Sequence, residues 1–286
     1  MNEQRIAVIC DTGTDTPADF VRAHDIRVVP LRINYSDGSS FESGVDITSA
    51  EVVSRFDQEI PTTSLPSPER LMDTLRRVRA DGYASAVIVT ISSGLSATFE
   101  TASMVARQVA EDFPVTVVDT KSIGLAAGMV VMEAARLIEQ GVPFARLADA
   151  LEAVAQKTRV FFSVQKLDFL RKGGRISEAV YRVGSVLNIK PVLTCNDEGR
   201  YVIAKKARGW QRALDTEVRL AEEQARRWPQ VRLGICCFEN EALFEQLEDA
   251  LRRQIDNVTE VVRSSVSPDL LVHTGPTLVG VAVQGL

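Results

Sequence analysis

Four loops along this chain carry more hydroxyl groups than their own folding requires. They are Asp11-Thr12-Gly13-Thr14-Asp15-Thr16, Pro61-Thr62-Thr63-Ser64-Leu65-Pro66-Ser67-Pro68, Ser92-Ser93-Gly94-Leu95-Ser96-Ala97-Thr98 and Asp119-Thr120-Lys121-Ser122. Serine, threonine and aspartate commonly cap helix N-termini, and each loop taken alone is explained that way. A cap needs one side-chain oxygen, however, and these loops bring several each. Hydroxyls set among the free N–H groups at helix starts make a site for an anion. None of the loops has the glycine cradle and lysine of a phosphate-binding P-loop, and no GxGxxG fingerprint follows the first strand. A small anion that accepts from neutral donors, such as a carboxylate, suits them better than a triphosphate.

The chain has two histidines. His24 closes an early helix, as a surface or capping residue. His273 falls in Val272-His273-Thr274-Gly275-Pro276, which reads as a tight loop before the last strand, where an imidazole could donate to an anionic group. The stretch Leu167–Ile176 ends a helix with Arg171, Lys172 and a double glycine, a good helix stop. Its other reading is a basic docking point, extended by Arg182, Lys190, Lys205, Lys206 and Arg208, for an acidic or phosphate-bearing partner.

These loops need strands and helices to place them. Ile6–Cys10, Ile26–Leu31, Ala86–Ile91 and Val115–Asp119 are short β-branched runs. Between and after them, Pro68–Arg79, Thr98–Glu111 and Gly124–Gln140 carry apolar residues at helical spacing, and Leu151–Gln156 adds a further helix. The alternation predicts βαβ units around a mostly parallel sheet with flanking helices. Ligands of such sheets bind beyond the carboxyl ends of the strands, where three of the hydroxyl loops fall. A second pattern follows, with strands at Val160–Val164, Tyr201–Ala207, Leu233–Phe238 and Glu260–Val266 and helices at Gly209–Arg227 and Glu241–Arg253. The turn Asn196–Gly199 predicts a hairpin and hence an α+β unit. The last run, Val279–Val283, could join either sheet. We therefore expect an α/β protein of two domains, residues 1–158 and 159–286, with the ligand between them.

The chain of 286 residues is 45% hydrophobic and 25% charged, ordinary for a globular protein. Its net charge of −5 and the lack of a recognition-helix motif argue against nucleic-acid binding. No apolar run is long enough for a signal peptide or a membrane span, which predicts a cytoplasmic protein with no stable membrane insertion. Cys10, Cys195, Cys236 and Cys237 lack metal-ligand spacing and read as small core residues. No metal site and no catalytic cluster is expected.

Six segments, in order, resemble the DegV family across nearly the whole chain. They are Asp11–Asp15, Thr62–Pro68, Ser92–Thr98, Lys172-Gly173-Gly174-Arg175-Ile176, Ile189-Lys190-Pro191 and His273–Pro276. The resemblance implies a protein that carries no cofactor and buries a long-chain fatty acid such as palmitate in an apolar tunnel. It implies that Thr63 and Ser93 hold the carboxylate, with Ser64 and Ser96 completing the hydrogen bonding. Family members of the bacterial fatty acid kinase system present the acid to a kinase subunit for phosphorylation, and Arg175 and His273 are the residues implied in that exchange. The chain departs from the family pattern at Ala97 and Thr277, where glycines are usual, and at Gly13. A stand-alone phosphotransferase on a related α/β scaffold is the alternative reading.

Overall fold

The protein is described by a computed structural model covering residues 2–185 and 188–286. Along the chain the elements run β1 (Ile6–Asp11), α1 (Ala18–Ala23), β2 (Arg27–Val29), β3 (Arg32–Asn34), β4 (Ser40–Glu42), α2 (Ser49–Ser54), β5 (Thr62–Ser64), α3 (Pro68–Ala80), β6 (Ser85–Thr90), α4 (Thr98–Val109), β7 (Val115–Asp119), α5 (Gly124–Glu139) and α6 (Phe144–Gln156). They continue with β8 (Thr158–Ser163), α7 (Asp168–Lys172), α8 (Glu178–Ser185), β9 (Ile189–Cys195), β10 (Tyr201–Arg208), α9 (Trp210–Ala225), β11 (Val231–Cys237), α10 (Glu241–Gln254), β12 (Val258–Ser265), α11 (Pro268–Thr274) and β13 (Val279–Gly285).

The first sheet has the order β2-β1-β6-β7 and every pairing in it is parallel. Its central strands β1 and β6 are buried along their whole length, as strands covered on both faces must be. One face packs on Leu71, Leu75 and Val78 of α3 and Ala102 and Val105 of α4. The other packs on Val130, Val131, Ala134 and Ile138 of α5 and Leu147 and Leu151 of α6.

The second sheet has the order β10-β9-β8-β13-β11-β12 and is mixed, with β11–β12 parallel and the rest antiparallel. The last strand, left open by the sequence, lies here between β8 and β11. Helices α9 and α10 cover one face through Leu214, Val218, Phe244 and Leu247. The opposite face meets α5, where Leu125, Met129 and Met132 pack with Val160, Phe162, Cys236 and Ala282. Helix α5 is thus shared by both sheets, which explains its composition. Twelve of its 16 residues are buried, so its apolar surface is much wider than the single stripe of a surface helix.

The sequence did not foretell the three-stranded antiparallel sheet β4-β3-β5 or helix α2. Helix α2 is set by a capping box in which Thr48 accepts from the Glu51 N–H and Glu51 from that of Thr48. The expected strand Ile26–Leu31 is shorter, because Pro30 has no N–H for the ladder and β2 stops at Val29. Two predicted loops are regular structure. Thr62–Ser64 is strand β5, and His273 lies in α11, whose start is marked by Ser267 as N-cap and Pro268 at the first turn. No helix among the described residues is long and apolar enough to cross a membrane.

The two domains also touch through loops. The Ser92 hydroxyl donates to the Gly199 carbonyl at 2.9 Å, bringing the Asn196–Gly199 hairpin turn onto the loop after β6. The approach is so close that a Cβ on Gly199 would lie 1.8 Å from Ser92 Oγ, and one on Gly94 would lie 2.5 Å from the Glu198 carbonyl oxygen. Gly199 also has φ of +75°. Gly199→Ala is expected to lose about 2–4 kcal/mol in urea unfolding, from overpacking plus left-handed strain. Gly38→Ala, at φ +89° with nothing within 4 Å, carries the backbone cost alone. Equal losses in the two variants would show that the loop contact contributes nothing.

Candidate functional site

A cavity of about 330 Å³ opens where β5, the loop after β6, the start of α5, the turn after α7 and helix α11 converge. Most of its wall is apolar: Leu31, Leu65, Ile91, Leu95, Ala97, Ile123 and Leu270. Its polar residues are Thr63, Ser64, Ser96, Arg175, Tyr201, Asp269 and His273. The volume is at the lower end of the ~300–1,000 Å³ usual for small-molecule sites.

Each polar group is held by its element. Thr63 is paired opposite Ile33 in the small sheet, which fixes its side chain beside α11. There the Thr63 hydroxyl and His273 Nε2 lie 2.6 Å apart. Gly173 gives the imidazole room, since a Cβ there would sit 2.3 Å from His273 Nδ1. That nitrogen is buried and has no hydrogen-bond partner among the described residues. Burial, reinforced by the Arg175 charge, pushes the His273 imidazole down to about 3, so it is neutral at physiological pH. Arg175 donates to the Gly173 carbonyl and faces no carboxylate within ion-pair distance among the described residues. Burial lowers its pKa, yet a guanidinium remains charged. Among the described residues the cavity therefore holds a half-buried cation that makes no ion pair.

Two helix starts border the same space. Ala97 and Ile123 are the N-caps of α4 and α5, and neither offers a capping side chain. Ser96 partly compensates by accepting from the Thr98 N–H at 3.3 Å while its oxygen lies 2.8 Å from Thr98 Oγ1. Aligned N–H groups at these ends favour negative charge nearby. The hydroxyl loops thus do not act mainly as caps; only Ser67, accepting from the Arg70 N–H, performs that task in the ordinary way.

The cavity brings together Thr63, Ser64, Ser96, Arg175 and His273. Ser93 stands apart from its lining. Its N–H donates to Asp119, and its oxygen accepts from Lys121 Nζ at 2.9 Å. The basic stretch is likewise dispersed. Lys172 donates to the Ile60 carbonyl, Lys190 to the Gln165 carbonyl, and Arg171 pairs with Glu178, while Lys205, Lys206 and Arg208 are exposed along β10. His24 pairs with Glu139 far from the cavity lining. Thr277, one departure from the family pattern, accepts from the Gln165 N–H and ties the loop after α11 to the loop after β8. Tyr201 and Asp269 were not singled out from the sequence. Asp269 could have been found from Ser267-Pro268-Asp269, a cap, a first-turn proline and an acid that together announce a helix.

The model described as "uncharacterised protein, DegV family" matches residues 5–285. A DegV domain-containing protein from Clostridium acetobutylicum is 32% identical over 284 residues, covering 98% of this chain and 99% of the relative. The structure of a DegV family protein from Thermus thermophilus, described by its fatty acid binding, superposes with a TM-score of 0.90 at 31% identity over 100% of both chains. That of Bacillus subtilis DegV, described as a fatty acid binding protein, gives 0.85 at 25% identity, also over 100% of both.

The depressed imidazole has a consequence with a definite sign. An unfolded histidine takes a proton near its ordinary 6.5 and the folded His273 only near 3, so its contribution to stability is present above 6.5 and lost as pH falls through that window. In NMR titrations the His273 ring is expected to show no protonation between pH 5 and 8. A midpoint near 6.5 would mean the imidazole is solvated.

Proposed function

This chain belongs to the DegV family, and we propose on that footing that it binds one long-chain fatty acid between its domains, with the carboxylate at the polar end of the cavity beneath α11. One observation carries the reading: Arg175 and the Thr63–His273 pair face a cavity with seven apolar lining residues, and Arg175 has no carboxylate partner among the described residues. A fatty acid supplies the missing charge and an apolar tail in one molecule.

The tail drives binding. Some fifteen methylenes at about 0.8 kcal/mol each give on the order of 12 kcal/mol before ordering costs are subtracted. The head group must recover the hydrogen bonds it had in water. Thr63, Ser96 and the neutral His273 offer donors, the two helix N-termini add their dipoles, and Arg175 sets the sign of the charge. Within the loop after β6 this reading favours Ser96 over Ser93, whose oxygen is engaged by Lys121. Ser64 takes a secondary place, because its hydroxyl accepts from Asn34 Nδ2 at the exposed edge of β5.

The reading extends to a carrier that hands its ligand to a fatty acid kinase subunit and performs no chemistry of its own. The carboxylate would then sit beside the turn 171–175, whose Arg171, Lys172 and Gly174 are exposed to a partner. Among the described residues no group of three or more His, Cys, Asp or Glu side chains is placed to hold a metal ion.

Native mass spectrometry of the purified protein is expected to find a co-purified fatty acid. Thr63→Ala with Ser96→Ala should weaken binding at least tenfold, since hydrogen bonds to a charged group contribute about 1.5–3 kcal/mol each, whereas Ser93→Ala should leave affinity within about twofold. A larger loss in Ser93→Ala than in the double variant would move the head group to the other side of the loop. Formation of acyl phosphate from ATP and magnesium without a partner would instead favour the phosphotransferase.

A further inference from the structure

The loop Asp119–Ser122 carries hydroxyls to which the ligand reading gives no task, yet it is tied closely to the loop that brings Ser96 to the cavity. Asp119 ends β7 with its side chain 9% exposed. Its Oδ1 accepts from the Lys121 N–H at 2.9 Å and from the Ser93 N–H at 3.2 Å. The first bond is an Asx-turn, in which a carboxylate takes the backbone N–H two residues on. It holds Lys121 at φ +50°, a left-handed conformation that costs a residue with a side chain about 1–2 kcal/mol. The second bond crosses to the loop after β6. Asp119 Oδ2 lies 2.9 Å from Lys121 Nζ, which in turn donates to Ser93 Oγ at 2.9 Å. One carboxylate therefore joins its own loop to the neighbouring one.

Both loops lead from this clamp directly to the cavity. The Leu95 and Ser96 N–H groups bond the Ser92 carbonyl at 3.0 and 3.1 Å, so residues 92–96 form one tight turn and Ser96 moves with Ser93. On the other loop, Ile123, the N-cap of α5, stands two residues beyond Lys121. Ser96 and Ile123 line the cavity, whereas Ser93, Asp119 and Lys121 do not. We propose that Asp119 is a positioning residue for head-group binding. By gathering the Ser93 and Lys121 N–H groups on one oxygen, it sets the spacing of Ser96 and the α4 start from the start of α5.

Other bonds between the two loops have a different task. The Ser92 N–H donates to the Ser122 carbonyl at 2.8 Å and the Thr120 hydroxyl to the Thr90 carbonyl at 2.8 Å. They continue the pairing of β6 with β7 and keep the strand ends together without Asp119. The carboxylate reaches past them to the turn itself, and its bonds to backbone N–H groups are charge-assisted. Its ion pair is the lesser part, because Lys121 is 45% exposed and a pair open to water contributes little. What the turn needs from residue 119 is thus an acceptor for two N–H groups. Ser93 enters the clamp chiefly through its backbone, which agrees with a hydroxyl that only Lys121 engages. The demand on placement is strict, since groups that recognise a ligand must be held within about 0.5 Å of their productive positions.

This role rests on the fatty-acid reading, and a pair of ligands separates the two. Palmitate and hexadecanol share a tail, but only palmitate brings a carboxylate. In Asp119→Ala, competition against a fluorescent fatty acid is expected to show palmitate affinity reduced at least tenfold and hexadecanol affinity within about threefold of the unsubstituted protein. Asp119→Asn keeps an oxygen that accepts both N–H groups and should bring palmitate back to within about threefold. Equal losses for the two ligands in Asp119→Ala, no loss for either, or no recovery in Asp119→Asn overturns the proposal. A measurement on the unsubstituted protein decides the matter even if Asp119→Ala does not fold. Coupling between sites is reciprocal, so saturating palmitate should slow hydrogen exchange of the Ser93 and Lys121 amides at least tenfold more than saturating hexadecanol. Equal slowing removes the positioning role while the lipid reading stands. An unsubstituted protein that binds neither ligand defeats the lipid reading, and the positioning role falls with it.

Discussion

Helix α5 is the constraint on which the arrangement depends. The two sheets enclose this helix along most of its length, and the charges it turns to the second sheet are paired, Glu133 with Arg232 of β11 at 3.0 Å and Arg136 with Glu260 of β12 at 2.9 Å. The contacts bear this out at van der Waals scale. A Cβ on Gly128 would lie 2.5 Å from the Thr14 carbonyl, so α5 presses on the loop after β1. On the other side, a Cβ on Gly234 of β11 would meet Met129 Sδ at 2.9 Å and Leu125 at 3.0 Å. Two glycines, one on each side of the seam, set how close the sheets come. The interface between the domains is therefore a core and not a wet contact that slides.

Apart from the paired Glu133, Arg136, Arg232 and Glu260, the polar groups of this seam gather where the helix begins. The start of α5, the start of α4, the loop after β1 and helix α11 meet there, and every hydrogen-bonding group must find a partner within the protein or in a ligand. Some do so across the seam, as Ser92 does with Gly199 and Asp15 with Ser267. Among the described residues, one nitrogen of His273, Ser122 Oγ, Ser267 Oγ and one oxygen each of Asp11, Asp15 and Asp269 are buried there without a hydrogen bond. The Arg175 cation faces a cavity large enough for a small ligand. This shortage of partners favours an anionic ligand on the cavity side.

How much of this could be read from residues alone followed from element length and burial. The parallel sheet was legible because β1 and β6 are six-residue runs buried on both faces, which gives continuous β-branched sequence. The hairpin Asn196–Gly199 was legible from its turn residues. The sheet β4-β3-β5 was not, since three-residue strands are too short for a period of two to register. That gap matters for the site, because Thr63 reaches His273 through its pairing with β3. In the loop after β6, composition marked three serines but could not rank them. Ser92 turns to the hairpin, Ser93 to Lys121 and Ser96 to the cavity, and only packing from three different elements separates them.

Helix α11 shows why the site is legible as a set of residues and not as a mechanism. Its seven residues bring Asp269 to Ser43, Leu270 to the apolar wall and His273 to Thr63. In sequence these are an acid, a leucine and a histidine in a segment too short to declare a face. In the fold they connect the seam between the domains to the cavity through a single short helix. Helix α11 is held at its start by the contact of Asp269 with Ser43 and at its end by Gly275, where a Cβ would lie 2.7 Å from the Phe169 ring. Contact between the domains and the polar end of the cavity are consequently properties of one element.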